Sequence, residues 1–374
     1  MKKIIPSLFI IFTLAGCSAK EVTFTIDPLP ERIEIESSLV KDWFAQENYD
    51  KNDMDALIDA RTDLGDNAPI RFTFKSSPSS KTAVAFIQEK GKSEIISVRL
   101  GSEREFELTN YKINTQYTVW VSNNVKDYRI NDSAVTFATP DAHFRTISIE
   151  GVNNFRDLGD DKIIKQGLIY RSATFENNDI IDEKNPINIS GYGLALLDRL
   201  HLKSEIDLRK DEEKSVSYID KSYIHDGIKY LKAPLHYGGD NILTYNKGDY
   251  NNPATIKTIF DFLGDVNNYP IDFHCVRGTD RTGCLAFLIK GLLGYEWEAL
   301  YRDYLFSNFY NIGTSVKKDN IYYSVNPNVT TKYGNVIEQT EGDTLQEKIY
   351  NYLSSDKVGV DSQVLDSIIN ILKV

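Results

Sequence analysis

One ten-residue run constrains this chain more than any other, and it reads HCVRGTDRTG from His274 to Gly283. In it, five residues separate Cys275 from Arg281, Gly278 lies between them, and Thr282 directly follows the arginine. A cysteine and an arginine at this spacing, around a glycine, suit one task. That task is to hold a phosphate dianion against a thiolate.

The flanks of this run predict a scaffold for an anion site. Residues 267–270 predict a turn, 271–273 a short strand and 284–289 an apolar helix. In the order strand, loop and helix, the loop directs several backbone N–H groups at one point, and the helix dipole adds positive potential there. Arg281 offers a planar fork to two phosphate oxygens, and the same field favours Cys275 as a thiolate, against a free thiol pKa of about 8.5.

The run resembles the active-site loop of the cysteine-dependent protein tyrosine phosphatase superfamily. With Asp280 before Arg281, the loop ends in Asp-Arg-Thr-Gly. This ending resembles that of a bacterial and fungal branch of tyrosine and dual-specificity phosphatases. Three other segments resemble the same branch, and two C-terminal segments are similar to its closing helices. They are NFRDLG at 154–159, GLIYRS at 167–172 and IDLR at 206–209, then 349–353 and 365–369. The resemblance covers residues from about 145 to the end of the sequence.

This resemblance implies a covalent mechanism with no cofactor. Cys275 attacks phosphorus to form a phosphocysteine, which water then hydrolyses. Arg281 and the loop amides stabilise charge on the phosphoryl oxygens, Thr282 donates its hydroxyl to the departing sulfur, and His274 orients the loop. No metal is needed, and the five histidines show no ligand-type spacing. The phosphate-binding residues are Val276, Arg277, Gly278, Thr279, Asp280, Arg281 and Thr282.

The general acid that protonates the leaving oxygen has three candidates. The resemblance points to Asp280, although the adjacent Arg281 is expected to bias this carboxylate toward its ionised form. Asp207, near a strand end, and Asp240, in a Gly-Gly-Asp turn, are the rivals. Positive potential around the mouth of the site is expected from Arg156, Arg209 and Arg277.

Three functions are compatible with this pattern. The favoured one is a protein tyrosine phosphatase that acts on a phosphorylated protein or a small phosphomonoester. Hydrolysis of inositol phosphates or phosphoinositides shares the same loop chemistry, but many relatives carry a lysine where this chain has Thr279, so a preference linked to that lysine is not implied. A non-catalytic phosphate-binding lipoprotein would not need a thiolate, so intact Cys275 and Arg281 argue against it.

The length of the chain bounds its number of domains, and its net charge limits the classes of partner it can bind. Its 374 residues allow two domains, and 41% hydrophobic with 26% charged residues is ordinary for a folded protein. The net charge of −11 argues against general binding to nucleic acid or to anionic lipid. Attraction for phosphate must therefore be local to the loop.

Two folded parts are predicted after the start of the chain. Alternation at 70–74 and 117–121, and a closing strand at 136–140, predict a small all-β sandwich over 22–140 that resembles a fibronectin type III module. From 145 to 374, predicted strands at 203–208 and 228–231 alternate with helices such as 256–262. This alternation predicts an α/β domain with a mostly parallel sheet flanked by helices. Two segments stay unassigned: 41–66, a candidate helical insertion, and 311–343, a candidate lid or surface insertion.

The first residues predict export and lipid anchoring. Lys2 and Lys3 precede a short apolar stretch at 4–14, and Leu-Ala-Gly-Cys then ends at Cys17. This resembles a bacterial lipoprotein signal over 1–17, in which Cys17 is lipid-modified and begins the mature protein on the periplasmic or cell-surface face of a membrane. Contact with the membrane is expected through this anchor alone. Of the other cysteines, Cys275 is assigned to the loop and Cys284 to the core, so no disulfide framework is implied.

Cys17→Ala is expected to abolish lipid attachment, because acylation requires the cysteine. The variant should then have no membrane anchor, because an apolar stretch this short does not span a membrane. Mass spectrometry of the mature N-terminus in the parent and the variant checks this. An unmodified Cys17 in the parent protein would refute the anchor.

Overall fold

The computed structural model describes residues 22–47, 65–100, 102–237, 241–313 and 333–374. Short strands precede residue 140, and strands alternate with helices after it. The strands are β1 (Thr23–Ile26), β2 (Ile70–Ser77), β3 (Val84–Glu89), β4 (Ile96–Arg99), β5 (Glu105–Leu108), β6 (Gln116–Ser122), β7 (Val135–Ala138), β8 (Arg156–Asp157), β9 (Ile169–Ser172), β10 (Ser204–Asp207), β11 (Lys229–Lys232), β12 (Asn246–Lys247), β13 (Tyr250–Asn251) and β14 (Ile271–His274). The α-helices are α1 (Ser38–Phe44), α2 (Gly191–Leu197), α3 (Asn252–Leu263), α4 (Asp280–Leu292), α5 (Trp297–Leu305), α6 (Tyr333–Glu338), α7 (Leu345–Ser354) and α8 (Ser362–Leu372).

Five strands form the sheet that carries the phosphate loop, in the order β11-β10-β14-β9-β8. β10 pairs in parallel with β11 and β14, β14 pairs in parallel with β9, and β8 is antiparallel to β9. The strands predicted at 203–208, 228–231 and 271–273 are β10, β11 and β14. The predicted α/β class with a mostly parallel sheet is therefore confirmed. The carboxyl ends of β10 and β14 meet at one edge, where such sheets bind ligands.

Burial fixes the two elements that flank the loop. All of β14 is buried, and so is every residue of α4 after Asp280. A helix buried on all sides needs neighbours on all sides, and α4 packs against β14, β9, α5 and α7. Each large aliphatic or aromatic side chain buried in this way contributes about 1.5–3 kcal/mol. The strand and the helix are thus held in place, and the loop between them has little freedom.

Two further sheets precede this one, in the orders β1-β2-β5 and β4-β3-β6-β7. The pairs β1–β2, β3–β4 and β3–β6 are antiparallel. In β2, Ile70, Phe72 and Phe74 are buried and alternate with exposed residues, as the sequence pattern predicted. The sheets fit the predicted all-β module. The likeness to fibronectin type III stays a prediction.

The described chain divides into two compact units. The smaller contains the described residues of Met1–Leu29, Phe72–Phe106 and Tyr117–Thr136. The larger contains those of Pro30–Arg71, Glu107–Gln116 and Phe137–Val374. These units do not follow the predicted division into 22–140 and 145–374, whose boundaries stay predictions. The predicted signal at 1–17 lies outside the described residues.

The two unassigned segments are described in part. In 41–66, the end of α1 is present, and 48–64 lie outside the described residues. In 311–343, α6 is present, and 314–332 lie outside them. A helical insertion and a lid therefore both stay predictions. None of the helices in the described ranges is long and apolar enough to cross a membrane.

Candidate active site

The carbonyl groups of the loop between β14 and α4 face outward. Arg171 Nη2 donates to the Gly278 carbonyl at 2.7 Å. Asn154 Nδ2 donates to the carbonyls of Arg277 and Gly278 at 3.2 and 3.1 Å. In a trans peptide the N–H points opposite to the C=O. The amides of Gly278 and Thr279 therefore point away from these partners, toward the inside of the loop.

The amides inside the loop are open to a ligand. The Val276 carbonyl accepts from the Thr174 amide at 3.2 Å, which turns the Arg277 amide inward in the same way. Within the described ranges, the amides of Arg277, Gly278 and Thr279 have no hydrogen-bond partner. Thr279, the N-cap of α4, makes no side-chain capping bond either. The helix N-terminus and the loop amides are thus arranged as an anion site requires, and phosphate binding there stays a prediction.

Gly278 is required by the way the loop packs on β9. Its φ is +67°, and a Cβ atom there would lie 2.5 Å from the carbonyl oxygen of Ser172. Both the left-handed backbone and the contact with another main chain exclude a side chain. The glycine therefore lets the loop lie directly against the sheet.

Cys275 is buried at the base of this loop, with 2% of its surface exposed. Burial by itself raises the pKa of its thiol. The charge of Arg281, together with the hydroxyl and amide of Thr282, more than offsets this, so the pKa lies below its ordinary value. In contrast, Cys284 is buried in the core with its pKa raised by burial, in agreement with its predicted core position. The two buried cysteines thus differ, because the loop lowers the thiol pKa of Cys275 and the core raises that of Cys284.

Arg281 is held in position by a carboxylate that the sequence did not single out. Its Nη1 and Nη2 atoms donate to the two Glu213 carboxylate oxygens at 2.6 and 2.8 Å, and Nη1 also donates to the Leu208 carbonyl at 3.1 Å. The Tyr237 ring centroid lies 4.4 Å from the guanidinium carbon. Because these contacts fix the plane of the guanidinium, the arginine is oriented before any phosphate binds.

Asp280 differs from the expectation in the direction of its pKa shift. Burial raises the pKa of its carboxyl, and this outweighs the opposing effects of the Tyr304 hydroxyl and of Arg281 and Arg277. The Tyr304 hydroxyl lies 3.1 Å from Asp280 Oδ1. The expected bias toward the ionised form is therefore wrong, because loss of solvation exceeds the attraction of the neighbouring arginines. A raised pKa suits a general acid.

Asp207 is buried in an ion pair and is unsuited to that role. Arg209 Nη2 lies 2.8 Å from its Oδ2, and Arg209 Nη1 lies 3.0 Å from Glu176. Burial raises the pKa of Asp207, but His274 and Arg209 together hold it far below its ordinary value. Asp207 thus carries no proton to donate at neutral pH. Arg209 is also buried and paired, so it supports the base of the site and adds no charge at its mouth.

His274 lies behind the cysteine, where it can orient the loop. Its Nε2 atom is 3.0 Å from Glu205 Oε1, and Nδ1 is 3.3 Å from the Cys275 carbonyl oxygen. Burial lowers the pKa of the imidazole, but Asp207 and Glu205 outweigh this and raise it. The side chain is completely buried and so has no access to a substrate. Its predicted role as an orienting residue fits this position.

A second buried charge cluster supports the outer side of the loop. Asp303 Oδ1 lies 3.1 Å from Arg156 Nε, and Asp303 Oδ2 lies 2.6 Å from Arg171 Nη1. Arg156 is completely buried, so the expectation that it lines the mouth is wrong. Its charge neutralises Asp303, which in turn holds the Arg171 that binds Gly278. Arg277, in contrast, is exposed on the loop and is free to attract anions.

Asp272 is a buried carboxyl whose pKa is raised, in contrast to those of Asp207 and Asp303. Burial raises its pKa to about 8, and Glu205 adds to this, against the attraction of His274. Ser172 Oγ donates to its Oδ2 at 3.0 Å, and Oδ1 has no partner among the residues that the structure describes. The neutral acid is therefore the form that this position stabilises.

One group in the described part of the chain has the donor types and spacing of a metal site. The ligand atoms of Glu205, Asp207 and His274 lie within 4.8 Å of one another, and all three residues are buried. Arg209 and Lys214 already lie 2.8 and 3.5 Å from Asp207, and His274 is paired with Glu205. The donors are thus engaged with one another and with cations, and the group is best interpreted as an ion-pair network beneath the loop.

The structure brings most of the predicted site together. Residues 274–282 form one loop and helix start, and Asp207 and Arg209 lie beneath it. Sequence reasoning missed Glu213, Tyr237, Asp303 and Tyr304, whose partners are far away along the chain. A lone carboxylate or tyrosine gives no signal of such a contact. Asp240 and Cys17 lie outside the described residues, and the roles assigned to all these residues stay predictions.

Comparison with known proteins identifies the family. A family described as the tyrosine phosphatase family matches residues 147–370. The chain therefore belongs to the tyrosine phosphatase family. The match covers the whole five-stranded sheet and the phosphate loop, in agreement with the resemblance seen in the sequence.

Two curated relatives are similar over part of their length. A tyrosine-protein phosphatase homologue from Cupriavidus necator is 25% identical over 187 residues, which are 43% of this chain and 63% of that protein. An inositol diphosphatase from Arabidopsis thaliana is 30% identical over 100 residues, which are 24% of this chain and 46% of that protein. The chain thus spans about half to two thirds of the length of these relatives.

Solved structures show partial likeness. TpbA from P. aeruginosa aligns with a TM-score of 0.27 at 18% identity, over 44% of this chain and 86% of TpbA. The catalytic domain of a PP-IP phosphatase from S. cerevisiae aligns with a TM-score of 0.29 at 21% identity, over 44% of this chain and 79% of that domain.

Asp272→Asn is expected to make stability less dependent on pH. With a pKa of about 8 in the folded state against 3.8 ordinarily, the folded parent retains a proton that the unfolded chain has lost between these values. The stability of the parent should thus fall as pH rises from about 4 to 8 and then level off, whereas an amide titrates nowhere in this range. The variant should gain about 1 kcal/mol or more relative to the parent across this window.

Urea unfolding of both proteins across that pH range measures the difference. Asp226→Asn is the matched control, because it makes the same chemical change at an exposed carboxyl. A constant difference between the Asp272 variant and the parent at every pH would contradict a neutral Asp272.

Proposed function

We propose that this chain is a protein tyrosine phosphatase that hydrolyses phosphomonoesters through a phosphocysteine intermediate. The observation that carries the proposal is a buried cysteine with a lowered thiol pKa, placed at the base of a loop of open amides beside an oriented arginine. A site that only bound phosphate would gain nothing from the thiolate, which repels an anion. Family membership and the name of the Cupriavidus necator relative support the same reaction.

In the first step, the Cys275 sulfur attacks phosphorus and the bond from phosphorus to the ester oxygen breaks. The loop amides and Arg281 bind the three non-bridging oxygens, on which negative charge is distributed in the transition state. Asp280 gives its proton to the leaving oxygen, so that the alcohol or phenol departs neutral. The raised pKa of Asp280 supports this assignment.

In the second step, water attacks phosphorus and the bond from sulfur to phosphorus breaks. The Asp280 carboxylate takes the proton of the attacking water, which returns the acid to its starting form. Thr282, which lowers the thiol pKa of Cys275, stabilises the thiolate as it leaves. Inorganic phosphate is then released, and no redox or metal chemistry is required for the atoms and charges to balance.

The substrate class follows from the surroundings of the loop. Tyr237 stacks on the Arg281 guanidinium, and Lys210 Nζ lies 5.9 Å from the same ring. An aromatic wall beside the phosphate site suits an aryl phosphate such as phosphotyrosine. The name of the Arabidopsis thaliana relative favours an alternative, hydrolysis of an inositol phosphate, which the exposed Arg277 would also attract.

Steady-state rates with phosphotyrosine peptides, phosphoserine peptides and inositol phosphates distinguish these substrates. A kcat/KM highest for phosphotyrosine supports the proposal, and a kcat/KM highest for an inositol phosphate supports the alternative substrate.

For the location of the protein, we propose a membrane-anchored bacterial lipoprotein held by acylated Cys17. The signal-like sequence at 1–17 supports this proposal.

Cys275→Ser is expected to lower kcat on an aryl phosphate by about 10³-fold or more, because a hydroxyl at this position is not ionised. Binding of tungstate, a phosphate analogue, should largely survive, since the amides and Arg281 remain. Turnover and tungstate affinity are measured with Cys284→Ala as the matched control. Substantial turnover by the serine variant would rule out the covalent mechanism.

Asp280→Asn is expected to slow phosphotyrosine more than an aryl phosphate with a good leaving group, because a good leaving group needs little protonation. The comparison uses kcat for p-nitrophenyl phosphate and a phosphotyrosine peptide. Asp240→Asn, measured in parallel, tests the remaining rival acid. If only the Asp240 variant discriminates between the two substrates, the acid is Asp240.

A further inference from the structure

A second cavity lies away from the phosphate loop, in the larger compact unit. Its volume is about 390 Å³, within the range of about 300–1,000 Å³ typical of small-molecule sites. Aromatic and basic side chains are prominent on its walls. They include Phe44, His143, Phe144, Lys290, Tyr295 and Arg302.

Lys290 is the unusual residue in this cavity. It lies near the end of α4, and only 4% of its surface is exposed. Its Nζ atom is 4.5 Å from the ring centroid of Tyr295 and 5.3 Å from that of Phe144, which are both wall residues. Among the described residues, no hydrogen bond or ion pair to Nζ is found. The amine is thus largely removed from water, and its near contacts are with two aromatic rings and not with a paired anion.

The acidic residues around the cavity are already engaged. Asp157 accepts from Arg145 Nη1 at 2.8 Å and from the Gly167 amide at 2.7 Å. Asp160 accepts from the Tyr295 hydroxyl at 2.6 Å. Glu298 is paired with Arg302, and Lys162 with Asp141. Among the lysines and arginines that line the cavity, Lys290 is therefore the one with no ion pair in the described part of the chain.

The pKa of Lys290 is consistent with an ammonium that has no paired anion. Burial lowers it, against the attraction of Asp303 and Asp160. An anion beside Nζ would raise this pKa and stabilise the charged form. The walls add a second feature, because Phe44, which stacks on His143 with ring centroids 3.8 Å apart, and Phe144 both line the cavity and give it apolar surface.

We propose that this cavity binds a small aromatic carboxylate, with the carboxylate paired to the Lys290 ammonium and the ring packed against Phe44 and Phe144. The site is separate from the phosphate loop. Lys290 is ten positions after Asp280 in α4, which corresponds to about 15 Å along the helix. Binding therefore needs neither the thiolate nor a bound phosphate, and the proposal does not depend on the proposed activity.

The test uses benzoate as the probe and the purified full chain, with saturating inorganic phosphate present to occupy the loop. Calorimetric titration should give saturable binding with a dissociation constant of about 1 mM or lower. Benzamide, which has the same shape without the charge, and acetate, which lacks the ring, should bind at least tenfold more weakly.

Lys290→Met should weaken benzoate binding at least tenfold. Methionine has a similar length and needs no polar partner, so the variant should remain folded, which thermal unfolding checks. Lys357→Met, at an exposed position, is the matched control and should bind as the parent does. Ala299→Trp, which fills the cavity from α5, is a second variant that should abolish binding by exclusion.

Benzoate that fails to bind the parent, or that binds Lys290→Met as tightly as the parent, would overturn the proposal. Equal affinity of benzoate and benzamide would also overturn it, because the charge of Lys290 would then have no role. Should the Lys290 variant not fold, undiminished binding to Ala299→Trp gives the same negative answer.

Discussion

The carbonyl oxygen of Gly278 attaches the phosphate loop to a buried cluster of ion pairs. Arg171 donates to it at 2.7 Å, and Arg171 is itself held by Asp303 at 2.6 Å. Asp303 also forms an ion pair with Arg156, so one buried carboxylate lies between two buried arginines. A buried pair that loses one partner costs about 3–5 kcal/mol, since an unpaired charge remains. The carbonyl is thus held outward, and the loop amides remain open inside.

The same burial has opposite effects on the two groups that the proposed chemistry requires. At Cys275, the arginine, the hydroxyl and the amide that face the sulfur outweigh loss of solvation, and the thiol pKa falls. At Asp280, loss of solvation outweighs its neighbours, and the carboxyl pKa rises. The loop therefore shifts the pKa of the proposed nucleophile down and the pKa of the proposed acid up. Displacement of paired pKa values in opposite directions is how a single site supplies both a base and an acid.

Local signals in the sequence predicted the parts of the site that are local in the chain. The spacing from Cys275 to Arg281, and the apolar segments on either side, predicted the loop, β14 and α4. The paired charges were not predictable, because Glu213 is 68 positions from Arg281 and Asp303 is 132 positions from Arg171. Arg156 and Arg209 were expected at the mouth because arginine is usually exposed, whereas each is buried against carboxylates that no spacing rule relates to it. The direction expected for the Asp280 pKa was wrong for a related reason, since the sequence shows the neighbouring arginine but not the loss of solvation.

Detection of the phosphocysteine tests the central claim most directly. Acid quenching of the parent chain within one turnover of an aryl phosphate, followed by peptide mass spectrometry, should show one phosphoryl group on the peptide that contains Cys275. Its amount should match the burst of released phenol. Phosphate found on another residue, or multiple turnovers with no phosphorylated peptide at any quench time, would contradict a loop built to hold a phosphoryl group against a thiolate.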